Sequence, residues 1–367
     1  MDSVTQAVLG GVVGELVLGR KIGGKGMAWG LLFGTLPDLD ILVYPWLDQV
    51  EKLRWHRGIS HSILVMVAAA FVFSKPLAWL HRKKKLSACR AGWFVFLAWS
   101  THVLIDVFTS YGTQVYEPFS DQRVAWSNLF IIDLFFTLPL LSWVVYRCCK
   151  AAKKFLKFVV RHFNRSVPDG QPEFEGFSMR GATVAISLSG LYVIFSLIMK
   201  VWAMDQIKGR MVEAISNGEI VSVTPTPFNT ILWRGLIETD EGYFVTHWSP
   251  FDDGPSGYYF FAKQHALCEP FQEEEMFKGL KWFSRGHWVA RKRSDHEVEF
   301  VDIRFGEVRD HEAGKLLAMF RWHLSYDDQG NFVASRAPRH TKMDDSLSAI
   351  WKRMWGNQMG WEEMEAF

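Results

Sequence analysis

The spacing of apolar residues along this chain changes once. Before Trp202 they gather into long runs parted by short polar or basic stretches, and after it they mix with polar residues as in soluble sequence. The runs cover residues 4–19, 27–46, 59–80, 91–110, 128–146 and 181–202. A helix needs about 20 apolar residues to cross a bilayer, so the pattern predicts a helical multi-pass membrane region. The first run is short and glycine-rich, which suits a tightly packed or partly inserted helix. Asp2 and Gln6 would share one face of it. The second run is interrupted by the turn Pro37-Asp38-Leu39-Asp40. The basic stretch 147–165, with Lys150, Lys153, Lys154, Lys157 and Arg161, has the pattern of an amphipathic helix on anionic lipid.

Beyond Trp202 the periods shorten. Residues 230–238 and 242–248 flank Thr239-Asp240-Glu241-Gly242 and read as a β-hairpin. Val298, Phe300, Ile303 and Phe305 mark another strand with imperfect alternation, while 273–283 and 343–354 read as helices. A short linker falls around 208–218. The expected architecture is an α-helical multi-pass membrane domain over 1–202, followed by a soluble α+β domain over 203–367.

Basic residues follow the first, third and fifth runs: Arg20, Lys21 and Lys25, then Arg82 to Lys85, then the 147–165 stretch. Short basic loops stay in the cytoplasm. That places the amino terminus, the Asp38/Asp40 turn, the 56–61 stretch, the end of the fourth run and the start of the fifth on one external face. The second domain is then external too. Composition adds little. The hydrophobic content of 49% and mean hydropathy of +0.01 average two unlike halves. A formal charge of +2 is too weak a field for a nucleic-acid partner. Cys89, Cys148, Cys149 and Cys268 lack zinc-finger spacing, and no structural disulfide is expected. The amino terminus has no basic n-region, so no cleaved signal peptide is expected.

The polar groups on the external face carry the candidate chemistry. His102 and Asp106 stand four apart, so a helix turns them to one side. Imidazole with carboxylate is a donor set for zinc, and also for manganese or iron. A hydrogen-bonded pair bracing two helices would use the same residues. In Trp55-His56-Arg57-Gly58-Ile59-Ser60-His61-Ser62, a loop could aim both His56 and His61 inward, with Ser60 capping the next helix. Asp38 and Asp40 suit a bridging carboxylate, a second metal or proton transfer, and equally a plain turn. Asp133 is a further candidate ligand, or a hydrogen-bond partner for a neighbouring helix. Arg57 could clamp an anionic oxygen with its planar fork, or bind lipid phosphate. Tyr111, Gly112 and Thr113 would form the rim. Glu15 falls toward the other face and is left out.

Together, Pro37-Asp38-Leu39-Asp40, His56-Arg57-Gly58-Ile59-Ser60-His61-Ser62 and His102-Val103-Leu104-Ile105-Asp106 resemble the YdjM-like family of bacterial inner-membrane, metal-dependent hydrolases. The resemblance covers about the first 150 residues. Met1-Asp2-Ser3-Val4-Thr5-Gln6 and Pro225-Thr226-Pro227-Phe228-Asn229-Thr230 resemble a longer subgroup with an extra domain. That family is in turn distantly similar to zinc-dependent phospholipase C and the S1/P1 nucleases. The similarity implies an all-helical metal core and phosphoester hydrolysis, with His102 and Asp106 as the element carried over. Gln6 stands where many members have a histidine, and no further histidine follows Asp106 in the fourth run. One or two metals are therefore expected rather than three.

These readings predict a metal-dependent hydrolase of the bacterial inner membrane, acting on a phosphoester or lipid-linked substrate at the extracytoplasmic face. Asp40, His56, His61, His102, Asp106 and Asp133 are the expected ligands, and Arg57 and Asp38 the expected catalytic groups. The alternatives are a metal-stabilised scaffold that binds envelope partners and a metal or ion transporter. A transporter needs polar groups in both halves of the membrane, and here they gather at one face.

Overall fold

The computed structural model describes residues 1–163, 179–211, 215, 217–254, 257–310, 315–337, 343–357 and 365–366. The last two residues of the expected 147–165 helix, and 212–214 and 216 of the expected linker, lie outside these.

Helix α1 (Ser3–Ile22) begins at Asp2, whose side chain accepts from the amides of Val4 and Thr5. It ends at Gly23, where a φ of +62° turns the chain into α2 (Lys25–Thr35). The two helices pack backbone to backbone. A Cβ on Gly30 would land on Gly10 O, and one on Gly14 would land on Gly26 O. Lipid tails are as apolar as side chains, so close van der Waals approach replaces the hydrophobic effect in holding such helices. Glycines at 10 and 14 on α1 and at 26, 30 and 34 on α2 permit it.

A 3₁₀ stretch, Leu36–Trp46, follows with Pro37 near its start, where a missing amide proton is harmless. Helix α3 (Gln49–Trp55), which the apolar pattern did not reveal, is held by a capping box between Asp48 and Glu51. The chain then reverses at Arg57, which adopts a left-handed φ of +58°. Helix α4 (Ile63–Leu80) is capped by Ser62, not by Ser60 as expected, and Ser60 turns inward. Helices α5 (Ala88–Val107), α6 (Leu134–Phe163) and α7 (Met179–Gly209) complete the bundle. Among the described residues, five helical stretches are long and apolar enough to cross a membrane: Lys25–Trp46, Ile63–Leu80, Ala88–Val107, Leu134–Lys157 and Met179–Gly209. Helix α5 is the enclosed one, with Ala91, Phe94, Val95 and Ala98 fully buried. Helix α4 turns Phe71, Val72 and Trp79 outward, as a lipid-facing helix should.

The C-terminal domain holds two antiparallel sheets. The first orders β1 (Glu219–Pro225), β2 (Trp233–Glu238), β3 (Gly242–Trp248) and β4 (Tyr258–Ala262). Its central hairpin closes at the expected turn, where Thr239 N donates to Gly242 O at 2.8 Å. Helix α8 (Glu275–Phe283) leads to the second sheet, β5 (Trp288–Lys292), β6 (Glu297–Asp310), β7 (Lys315–Tyr326) and β8 (Phe332–Arg336). Helix α9 (Met343–Met354) and a two-residue β9 (Glu365–Ala366), parallel to β7, come last. The imperfect alternation after Val298 has a cause: the β6–β7 register breaks between Asp302 and Glu307, around Gly306 at φ +85°.

Two packings join the halves. Met199, Ala203 and Ile207 of α7 pack with Trp233, Ile237 and Trp248 of the first sheet. Gly279 of α8 lies against Val50 of α3. Basic ends gather away from there: Arg20 meets Met179, and Trp29 bonds His81 just before Arg82.

If backbone contact holds α1 to α2, Gly30→Val should cost at least about 2 kcal/mol, because the clash is with backbone. Gly190→Ala, in open space on α7, should be neutral or raise stability by up to about 1 kcal/mol. Thermal unfolding of both variants in detergent measures the contrast.

A candidate metal centre at the mouth of the bundle

Three elements bring four donor groups to the same point. Asp38 comes from the 3₁₀ stretch, His61 from the loop before α4, and His102 and Asp106 from α5. Their ligand atoms lie within 4.8 Å of one another. His61 Nε2 is 3.1 Å from His102 Nε2, 3.4 Å from Asp38 Oδ1 and 3.4 Å from Asp106 Oδ2. His102 Nε2 is 3.4 Å from Asp38 Oδ1 and 3.9 Å from Asp106 Oδ2. Four atoms held tetrahedrally at zinc bond lengths stand roughly 3.3–3.6 Å apart. The separations around the two Nε2 atoms, 3.1–3.9 Å, bracket that span.

The outer hydrogen bonds decide what the inner atoms are. His102 Nδ1 is 2.7 Å from Gly34 O, which can only accept, so Nδ1 carries a proton and a neutral His102 turns its Nε2 lone pair inward. His61 Nδ1 is 2.8 Å from Ser60 Oγ, and that hydroxyl donates to Asp40 Oδ2 at 3.3 Å. The same tautomer follows for His61. With both imidazoles neutral, two bare nitrogens face two carboxylates, the donor set a cation takes; without one, a proton shared between the two Nε2 atoms, 3.1 Å apart, meets the same need. Asp106 Oδ2 is buried and accepts no hydrogen bond, its nearest cation being Arg57 Nε in an ion pair of 3.0 Å. Imidazole and carboxylate oxygens in this arrangement can hold a divalent metal ion.

The remaining expected residues lie around the cluster or away from it. Asp40 supports the cluster from outside: it accepts from the Arg57 amide at 3.0 Å, pairs with His56 Nδ1 at 3.3 Å and holds Ser60. His56 stays with Asp40 and packs on Tyr111, and its side chain is 24% exposed. Asp133 stands apart, because it begins α6. It accepts from Phe136 N at 3.2 Å and from Tyr192 OH at 3.1 Å. Arg57 is buried, with Nη1 donating to Thr109 at 2.9 Å and its guanidinium 4.9 Å above the Tyr111 ring. Glu15 is held at a distance by Arg147 at 2.7 Å and Trp143 at 2.6 Å.

Four partners were not selected from the sequence as site residues. Gln6 donates to Asp106 Oδ1 at 2.8 Å, from the position where the resemblance expected histidine. The Met1 amino group reaches the same oxygen. Ser60 and the Gly34 carbonyl orient the imidazoles. Gln6 carried a signal, the face it shares with Asp2, and Ser60 stood out as a helix cap rather than as a support for His61.

Residues 1–203 match the family described as YdjM inner membrane protein. The chain belongs to that family. All four cluster residues lie within the matched span, and the two sheets lie beyond it. The uncharacterized protein YfhP of Bacillus subtilis (strain 168) is 29% identical over 330 residues, covering 83% of this YdjM-family chain and 87% of its own length. That similarity extends past the membrane helices into the C-terminal domain. No solved structure matches.

Elemental analysis of purified protein checks the donor assignment. His102→Ala and Asp106→Asn should lose bound metal. Ser60→Ala, which only loosens His61, should weaken affinity by about 10–100-fold. Asp133→Asn should leave the metal in place.

Proposed function

We propose that this YdjM-family protein is a membrane-bound, metal-dependent hydrolase that cleaves a phosphoester or lipid-linked substrate at the extracytoplasmic face. The observation that carries the reading is the convergence of Asp38, His61, His102 and Asp106 in one buried cluster, open on one side. Asp38 is 19% exposed at its side chain, whereas His61, His102 and Asp106 are fully enclosed. A divalent cation, with zinc the first choice, supplies Lewis-acid polarisation and lowers the pKa of water. The protein does the rest. His61 and His102 keep fixed tautomers. Asp38, at the open edge, is the group placed to accept a proton from an attacking water. Arg57 fixes Asp106, and its guanidinium is the proposed partner for charge developing on an anionic oxygen at the cluster.

At saturating metal, Arg57→Gln should lower turnover by about 10²–10³, the usual cost of removing one charge-stabilising donor. Hydrolysis of a panel of phosphoesters, phospholipids and amides, with metal content measured on the same samples, checks it. Metal retained with no hydrolysis by the unmutated protein would favour the scaffold reading.

Location is part of the same proposal. The basic ends lie opposite the cluster, which supports a cytoplasmic basic face and an external metal face. A reporter fused after Tyr146 should read cytoplasmic, and one after Phe367 extracytoplasmic. Opposite readings would move the site to the cytoplasmic leaflet.

A further inference from the structure

The C-terminal domain reaches the rim of the metal centre with an arginine. Arg285 sits in the turn after α8 at a φ of +56°, followed by Gly286 at +82°. Glycine adopts that backbone without strain, and arginine rarely does. The residue as a whole is exposed, but its guanidinium is tucked in against buried Gly112 of the membrane domain. Its Nη2 fills the space that a Cβ on Gly112 would take, and Gly112 itself has a φ of +88°. Beside Gly112, the Tyr111 ring carries the guanidiniums of Arg57 at 4.9 Å and Arg123 at 4.8 Å. The same ring packs on His56 at 5.5 Å and on Phe283 at 5.3 Å. Arg304 lies over Phe283 at 5.3 Å.

Four guanidiniums thus crowd an aromatic patch next to the cluster, and their charges are unevenly met. Arg57 faces Asp106, and Arg304 is paired with Asp302. Arg123 donates to the carbonyls of Leu53 and Gly112, with no carboxylate partner. Among the described residues the Arg285 guanidinium has neither ion pair nor hydrogen bond. Burial, then Arg304 and Arg123, push its pKa down to about 9, so it stays charged at neutral pH. A turn alone would be better served by glycine. Strain and unmet charge at one residue point to a ligand of opposite charge.

We propose that Arg285 is an anion-binding residue lent to the metal site by the C-terminal domain, and that it takes a phosphate group in its bidentate fork. The proposal deepens the hydrolase reading and rests on it for the identity of the substrate group. The binding itself needs no turnover. The phosphate can belong to a lipid headgroup or be free, because the recognising chemistry is the same.

Isothermal titration of the full-length, zinc-loaded protein in detergent tests it, with inorganic phosphate and dihexanoyl phosphatidic acid as probes. Arg285→Gly suits the left-handed backbone, so the melting temperature should hold or rise while phosphate affinity falls about tenfold or more. Arg285→Lys should recover part of the affinity, because it keeps the charge without the fork. Tighter binding of phosphatidic acid than of phosphate supports the proposal with a lipid as source; equal binding supports it with free phosphate. Unchanged phosphate affinity in Arg285→Gly, or no phosphate binding by the unmutated protein, overturns it. Arg285-dependent binding without hydrolysis of any phosphoester keeps the proposal and removes the enzyme reading alone.

Discussion

Two imidazoles face two carboxylates in a buried space, and the membrane half of the molecule is arranged to keep them there. Left to themselves such groups would protonate, separate or find water. Here each has its outer atom fixed instead. His102 is held by the Gly34 carbonyl, His61 by Ser60, and Asp106 by Gln6 and Arg57. The glycine seam between α1 and α2 is part of this arrangement. Gly34 packs so closely on α1 that a Cβ there would stand 2.6 Å from Gln6 O. The residue that aligns His102 and the residue that aligns Asp106 are therefore in contact with each other. Backbone packing and site geometry are set by the same few atoms, which leaves the centre little freedom to relax when one partner is lost.

The legible parts of the sequence were those governed by one short-range rule. Apolar runs marked most of the membrane helices, since length and hydropathy suffice for that. His102 and Asp106 could be paired from helical spacing alone. The loop residues could not be sorted so simply. Asp38 and Asp40 both sit in one 3₁₀ stretch, yet Asp38 enters the cluster and Asp40 stands behind it. The left-handed turn at Arg57 sends His61 inward and leaves His56 beside Asp40, and such a turn is invisible without a glycine to mark it. Asp133 reads as a ligand by composition but serves the start of α6. In the second domain, several strands were hidden because buried ion pairs interrupt their apolar pattern. Arg304 with Asp302 and Arg321 with Glu299 occupy positions where alternation would call for hydrocarbon.

Helix α7 carries a consequence of its own. Its 31 residues would extend about 46 Å, well beyond the roughly 30 Å of hydrocarbon in a bilayer. The near half meets the bundle, where Ser196 accepts from Asn128 and Tyr192 reaches Asp133, while the far half is embedded in the first sheet. The helix is thus an axle gripped at both ends, and what it transmits is angle as much as height. Each residue added between the two grips would turn the sheets by about 100° relative to the bundle. Seven would bring them round to within about 20° of where they began. Across chains of this architecture, the spacing between membrane bundle and sheets is free to vary only in steps that preserve that angle.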